Sequence, residues 1–267
     1  MTNREVIRSK DNARLAYARA ARDGRSLDVI FNEGKRQCLE AARANVKIEL
    51  CLFAEGFDDL EAIDKLRSSS VTCVVVADRL FDSIAETKSP QGVIAIARRP
   101  SGNAGLLAAS LSRSSVPMIV FLREINNPSN LGAILRTAEA AGVAGVITSS
   151  GSADAFSPKA NRAALGANLR IPIWEKADPT EVIQFAKENE LLIAAAVVSD
   201  AVDYTSTDWQ RPTMLMLGSE AHGLSDELAA FADIRVTIPL MNGVESLNLA
   251  VSCGVILFEV LRQNRLS

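Results

Sequence analysis

The residue types able to do chemistry cluster in three short stretches, each at a join between an apolar run and a helix-like pattern. The first is NNPSNLGAILRTAEAAG, following MIVFLREI. Asn127, Ser129 and Asn130 there suit a helix start, and Pro128 suits a turn. Arg136, six residues after Asn130, is a possible anion contact, although a solvent-facing helix position also carries arginine. The second is MLGSEAHGLSDEL. Gly218 and Gly223 allow a tight turn and close approach of backbone to a ligand. Ser225 fits an N-cap, with Asp226 and Glu227 in a first turn. That leaves Glu220, a carboxylate just past a strand, without a structural reason. His222 beside it is the chain's single histidine. The third is NGVESLNLAVSCGVILFEVL, residues 242–261. Ser246 reads as the cap of the last helix, with Asn248 in its first turn. Capping needs only one such residue, so Asn248 points to a hydrogen bond beyond it.

These joins need a scaffold. From Met118 onward, strand-like runs (MIVFLREI, GVITSSG, LLIAAAVVS, TMLMLGSE, RVTIPL) alternate with helix-like ones. The helix-like runs include NLGAILRTAEAAG, SPKANRAALGAN, TEVIQFAKENE and LNLAVSCGVILFEVLRQ. Alternation of this kind predicts a mostly parallel sheet covered by helices. Ligands bind such sheets beyond the carboxyl ends of the strands, where the three joins fall. Before Arg99, the runs LDVIFNE, IELCLFAE, SVTCVVVAD and GVIAIARR alternate with GKRQCLEAARAN and EAIDKLRSS, which predicts a smaller α/β unit. The expected division is 1–99, a linker at 100–115 rich in Ser, Gly and Ala, and 116–267.

Composition narrows the chemistry. The chain of 267 residues is 48% hydrophobic and 23% charged, as in ordinary globular proteins. No apolar run reaches membrane length, and the basic N-terminus lacks a signal-peptide core, so a cytoplasmic protein without membrane contact is expected. Four scattered cysteines without a C-x-x-C pair, and one histidine, argue against a metal site. Net charge is −3, but residues 1–47 hold eleven Lys and Arg against six Asp and Glu. That basic segment suits either a polyanion or a solvated amphipathic helix. No G-x-G-x-x-G follows a strand, and neither a phosphate loop nor a G-x-S-x-G elbow is present. The residues alone thus give a two-part α/β protein with a site of one Arg, one Glu, one Ser and two Asn.

The three stretches, in order and spacing, resemble the signature motifs of the SpoU (TrmH) family of RNA ribose 2′-O-methyltransferases in the SPOUT superfamily. NPSNLGAILRTAEAAG resembles the first motif, LGSEAHGLS the second and IPLMNGVESLNLAVSCGVILFE the third. The resemblance covers about Val116 to Gln263. IRSKDNARL and FNEGKRQCLEAA resemble, less fully, the ribosomal-protein-like RNA-binding domain that often precedes this catalytic domain.

The resemblance implies a C-terminal sheet threaded into a trefoil knot and a homodimer with the last helix at its interface. It implies S-adenosylmethionine as cofactor, lined by Leu217, Gly218, Ile238, Ser246 and Leu247. Asn130, Arg136, Glu220, Ser246 and Asn248 fall at the family's catalytic positions. Lys10, Arg14 and Arg136 are the RNA-binding candidates. Ribosomal RNA is favoured over tRNA because a separate N-terminal domain is present. The alternatives are a tRNA 2′-O-methyltransferase, a non-catalytic ribosome-assembly factor on the same scaffold, and a nucleotide-dependent oxidoreductase, which the missing glycine fingerprint disfavours. Two departures stand out. Ala221 occupies a position that is usually Gly, and Ala164 one that is often Ser.

Overall fold

Strands form where β-branched and apolar residues run together, and here they build two sheets. The computed structural model describes residues 6–67 and 71–265. Ser68 to Ser70, at the ends of EAIDKLRSS and the start of SVTCVVVAD, lie outside the described residues, as does Arg4 of the basic segment. The chain divides into two units, Met1–Pro100 with Phe156–Leu169, and Ser101–Ala155 with Arg170–Ser267.

In the first unit the strands are β1 (Val6–Ile7), β2 (Val29–Glu33), β3 (Ile48–Ala54), β4 (Thr72–Val76) and β5 (Val93–Arg98). Their order is β1-β4-β3-β5-β2. The first three in that order are parallel, and β5 is antiparallel to both its neighbours. The helices are α1 (Ala13–Arg22), α2 (Lys35–Arg43), α3 (Leu60–Leu66) and α4 (Asp78–Ile84). Leu15 and Ala18 of α1 are fully buried, as their spacing predicts, against Phe31, Leu52 and Ile94 of the sheet.

A later helix, α7 (Pro158–Ala164), belongs to this unit. Its Asn161 is 1% exposed. The Asn161 amide donates to Asn32 Oδ1 at 2.9 Å and to the Phe31 carbonyl at 3.3 Å. It accepts from Asn168 Nδ2 at 3.2 Å, while Gln37 Nε2 donates to the Asn161 carbonyl at 3.1 Å. A buried amide is tolerable only with such partners.

The second unit holds a seven-stranded sheet in the order β10-β12-β9-β11-β6-β7-β8. The strands are β6 (Val116–Leu122), β7 (Val143–Ser149), β8 (Ile173–Ala177), β9 (Leu192–Ala196), β10 (Val202–Asp203), β11 (Thr213–Leu217) and β12 (Ile234–Thr237). Every pairing in it is parallel. The central strands β11 and β7 are buried at every residue, as strands covered on both faces must be. Helices α5 (Ala104–Leu111), α6 (Pro128–Ala141), α8 (Pro179–Glu188), α9 (Asp226–Ala229) and α10 (Leu249–Arg265) cover it.

The stretch read as a linker is structured. Asn103 caps α5 through the Leu106 N–H at 3.0 Å. Leu107 is fully buried with Ile119, Phe121 and Ala144. A Cβ on Gly102 would sit 1.8 Å from the Ile173 carbonyl oxygen, so this segment lies tight against β8. Its small residues serve close packing here rather than flexibility.

Candidate active site

Two of the three joins leave the sheet side by side. β6 and β11 are neighbours, and Leu122 pairs with Leu217 at their carboxyl ends. The Arg123 N–H donates to the Leu217 carbonyl at 2.9 Å. After β6, Asn127 caps α6 by accepting from the Ser129 N–H at 2.9 Å, with Pro128 in the first turn. Asn130 therefore sits in the first turn of α6, at the rim of the sheet.

After β11 the chain makes a closed loop. Ser219 and Gly223 exchange backbone hydrogen bonds of 3.1 and 2.8 Å. The His222 N–H donates to Ser219 Oγ at 3.2 Å. Gly223 has φ +64°, the left-handed region that favours glycine. Gly218 is required for a different reason. A Cβ there would lie 1.9 Å from the Gly223 carbonyl carbon and 2.2 Å from the Leu224 nitrogen. The loop folds directly back on Gly218. Ala221 is not among the residues with positive φ, so the departure from Gly at that position costs no backbone strain.

The third join comes from farther away. β12 lies three strand spacings from β6, about 14 Å. The segment from Ile238 onward crosses that span, because α10 packs along α6. The two helices run in the same direction: Asn248 meets Asn130 at their starts, and Gly254 faces Thr137 farther along.

The cap of α10 is not Ser246. Asn248 Oδ1 accepts from the N–H groups of Ala250 (2.9 Å) and Val251 (3.3 Å), and the helix begins at Leu249. The expectation that Asn248 lies inside the helix is corrected: it is itself the cap. Both residue types cap well, and the buried face beginning at Cys253 sets the helix start two residues later than the sequence pattern suggests.

The other end of the Asn248 amide is spare, and it reaches the first join. Asn248 Nδ2 donates to Asn130 Oδ1 at 3.3 Å. Asn130 Nδ2 in turn donates to Glu220 Oε1 in a short contact. The three polar side chains singled out from three separate motifs thus form one hydrogen-bonded chain, Asn248 to Asn130 to Glu220. Each amide uses its acceptor toward one side and its donor toward the other, so the direction of the relay is fixed by Glu220, which can only accept when ionised.

Arg136 is not part of this chain. Six residues at 100° each put it about 120° around α6 from Asn130. It is exposed, and its guanidinium has no hydrogen-bond or ion-pair partner among the described residues. Ser246 is also exposed with no side-chain partner among them. Leu217 is 1% exposed at the end of β11, Ile238 is half-buried just past β12, and Leu247 is 37% exposed. Lys10 and Arg14 belong to the first unit, just before α1 and in its first turn.

Among the described residues, the only backbone hydrogen bond within 238–247 is a turn from the Val244 N–H to the Met241 carbonyl, at 3.2 Å. The remaining N–H and carbonyl groups of that segment are open, beside the closed loop at Gly218. Open backbone donors and acceptors next to apolar Ile238 and Leu247 suit a ligand with a heteroaromatic edge and a charged amino-acid end. Thiol chemistry does not compete: Cys253 is buried, which pushes its pKa up to about 12. Among the described residues no group of three or more His, Cys, Asp or Glu could hold a metal, and no helix is long and apolar enough to cross a membrane.

Comparison with known proteins identifies the class of protein that carries this arrangement. Residues 117–258 match the model of the SpoU rRNA Methylase family, and residues 17–95 match that of the MRM3-like substrate binding domain. The chain belongs to the SpoU rRNA methylase family. It is an S-adenosylmethionine-dependent RNA methyltransferase with the α/β fold of that family. It is 30% identical to the mitochondrial rRNA methyltransferase 3A of Danio rerio, over 93% of this chain and 67% of that one. It is 28% identical to the 23S rRNA (guanosine-2′-O-)-methyltransferase RlmB of Shewanella oneidensis, over 89% of this chain and 98% of that one. It is also similar to the structure of an AdoMet-bound rRNA methyltransferase from Sinorhizobium meliloti. That similarity has a TM-score of 0.84 and 27% identity, and covers 97% of each chain.

Proposed function

We propose that the chain methylates a ribose 2′-hydroxyl of large-subunit ribosomal RNA, using Asn130, Arg136, Glu220, Ser246 and Asn248. The observation that carries this reading is the relay from Asn248 through Asn130 to Glu220, which ties the three motif loops together at the sheet rim. The rRNA preference is supported by the names of the relatives from Danio and Shewanella and by the match of residues 17–95 to a substrate-binding domain.

S-adenosylmethionine, when bound, would supply a sulfonium methyl that is already a strong electrophile. The protein's task is then placement of the hydroxyl and disposal of its proton. Backbone groups of Leu217, Gly218, Ile238, Ser246 and Leu247 would hold the cofactor. The guanidinium of Arg136 clamps an RNA phosphate and orients the hydroxyl. A guanidinium is a poor base but a good bidentate partner for phosphate. Asn130 and Glu220 fix the loops, and Ser246 with Asn248 brackets the ribose.

The protein acts as a homodimer in this reading. Val251 and Phe258 of α10 are each 51% exposed, although they belong to the apolar stretch expected to be buried. Val244 and Met241, just before the helix, are 52% and 76% exposed. A second copy against α10 would cover this apolar stripe. It would also provide a place for Arg136, which points away from Asn130 within one chain. The trefoil threading is carried over from the family, in keeping with a segment after β12 that crosses to α6.

The test is transfer of tritium from labelled S-adenosylmethionine to unmodified ribosomal RNA and to tRNA, by wild type and Arg136→Ala. Alkali-resistant label in ribosomal RNA, lost in the variant, is expected. Label only in tRNA overturns the substrate. Retained transfer by the variant overturns the role of Arg136, and failure of the wild type to bind the cofactor favours an assembly factor.

A further inference from the structure

A cavity of about 470 Å³ opens in the first unit at the start of β4. Among the described residues β1 pairs with Val75 and Val76, β4 runs from Thr72, and the outer edge of Thr72 to Val74 has no strand beside it. Arg8, Ser9, Asn12 and Arg14 bound the cavity on one side, Arg67 and Thr72 on the other. Its wall is apolar, formed by Val6 and Val74.

Charge distinguishes this cavity. Among the described residues three guanidiniums line it and no carboxylate does. Arg14 and Arg67 are exposed, and their side chains have no ion-pair partner among the described residues. Arg8 pairs with Glu55 at 2.7 Å, but both side chains are largely exposed, at 65% and 41%. Such a pair is weak and can be exchanged for a phosphate. The volume falls in the usual range for small-ligand sites, about 300–1,000 Å³. A duplex presents a convex surface, whereas an apolar wall with a cationic rim suits a splayed base and its phosphate.

We propose that this cavity holds one unstacked nucleotide from a single-stranded stretch of the RNA substrate. Its phosphate lies on the arginine rim and its base against the wall formed by β1 and β4. The proposal rests on the reading of the chain as an RNA methyltransferase, and it assigns to Arg8, Arg67 and Thr72 a role that the sequence did not suggest.

The experiment measures fluorescence polarisation of a fluorescein-labelled single-stranded RNA, across a salt series, with three proteins. Arg14→Ala/Arg67→Ala removes two rim cations. It is expected to weaken binding at least tenfold and to flatten the slope of log K against log salt by about 1.4, at roughly 0.7 per phosphate contact on a single strand. Thr72→Trp fills the cavity without changing charge. It is expected to weaken binding at least fivefold with the slope unchanged. The wild type is the third protein, and it is expected to prefer the single strand over a duplex of the same sequence.

Binding by the double variant within twofold of wild type overturns the proposal. So does wild-type binding by Thr72→Trp, since the arginines would then be a surface patch and not a pocket. Tritium transfer to unmodified ribosomal RNA by the wild type is measured in parallel. Transfer without any binding defect in the variants sinks the pocket alone, and absence of transfer sinks the enzymatic reading whatever the binding shows.

Discussion

Asn248 does two jobs with one amide, and its two ends can be separated by mutation. Its Oδ1 caps α10 through Ala250 and Val251, and its Nδ2 holds Asn130. Asn248→Ala removes both. Loss of an N-cap costs about 1 kcal/mol. In a domain of roughly 150–250 residues that lowers Tm by about 2–4 °C. Asn248→Asp keeps the cap, since Asp and Asn cap about equally and a carboxylate is favoured at a helix start. It loses the donor to Asn130 and brings a second carboxylate toward Glu220. One lost hydrogen bond of about 1–1.5 kcal/mol is roughly a five- to tenfold effect, and like-charge repulsion adds to it. The expected outcome is a Tm within about 1 °C of wild type but methyl transfer reduced at least tenfold in Asn248→Asp. Scanning calorimetry and single-turnover tritium transfer measure the two quantities. Wild-type transfer by Asn248→Asp would show that the link to Asn130 has no part in catalysis. A fall in Tm equal to that of Asn248→Ala would show that the cap is misassigned.

Three further outcomes follow from the geometry. Gly218→Ala forces a Cβ into the returning loop at 1.9 Å from Gly223, so S-adenosylmethionine affinity should fall at least tenfold by titration calorimetry; an unchanged Kd would remove that loop from the cofactor site. Asn161→Ala leaves the buried Asn32 Oδ1 without its donor, which should destabilise the protein by about 2–4 kcal/mol in urea unfolding, and a loss under 0.5 kcal/mol would contradict the burial argument. Asp178 caps α8, and the Thr180 N–H foremost holds its carboxyl below the ordinary value of 3.8. A depressed pKa contributes stability that is present above the unfolded value and lost as pH falls through the folded one. Asp178→Asn should therefore flatten the fall in Tm below about pH 4, and an identical acid limb in both proteins would refute the assignment.

The parts of the fold that were legible in the sequence are those with one unambiguous pattern. β6 and β11 are continuous apolar runs, and α6 carries a Pro, an Asn cap and a left-handed Gly142 at its two ends. β8 was missed because it is an edge strand, with Glu175 and Lys176 in the middle of IWEKA. α5 was missed because Ser, Gly and Ala read as a flexible stretch until Leu107 is seen in the core. Motif spacing marked Asn130, Glu220 and Asn248, but their mutual bonds join positions 90 and 118 residues apart, and no local pattern reports such a contact. The choice of Asn248 over Ser246 as cap depended on where the buried face of α10 begins.

The helix α7 lies between β7 and β8 in the chain yet packs with the first unit, through Asn161 and its partners. The boundary between the units is therefore crossed three times by the chain. A fragment cut at residue 100 would leave Asn32 and Gln37 facing an empty groove. Exchanging the N-terminal part with that of a relative would fail unless residues 156–169 travelled with it. No single cut in the sequence separates the two units of this chain.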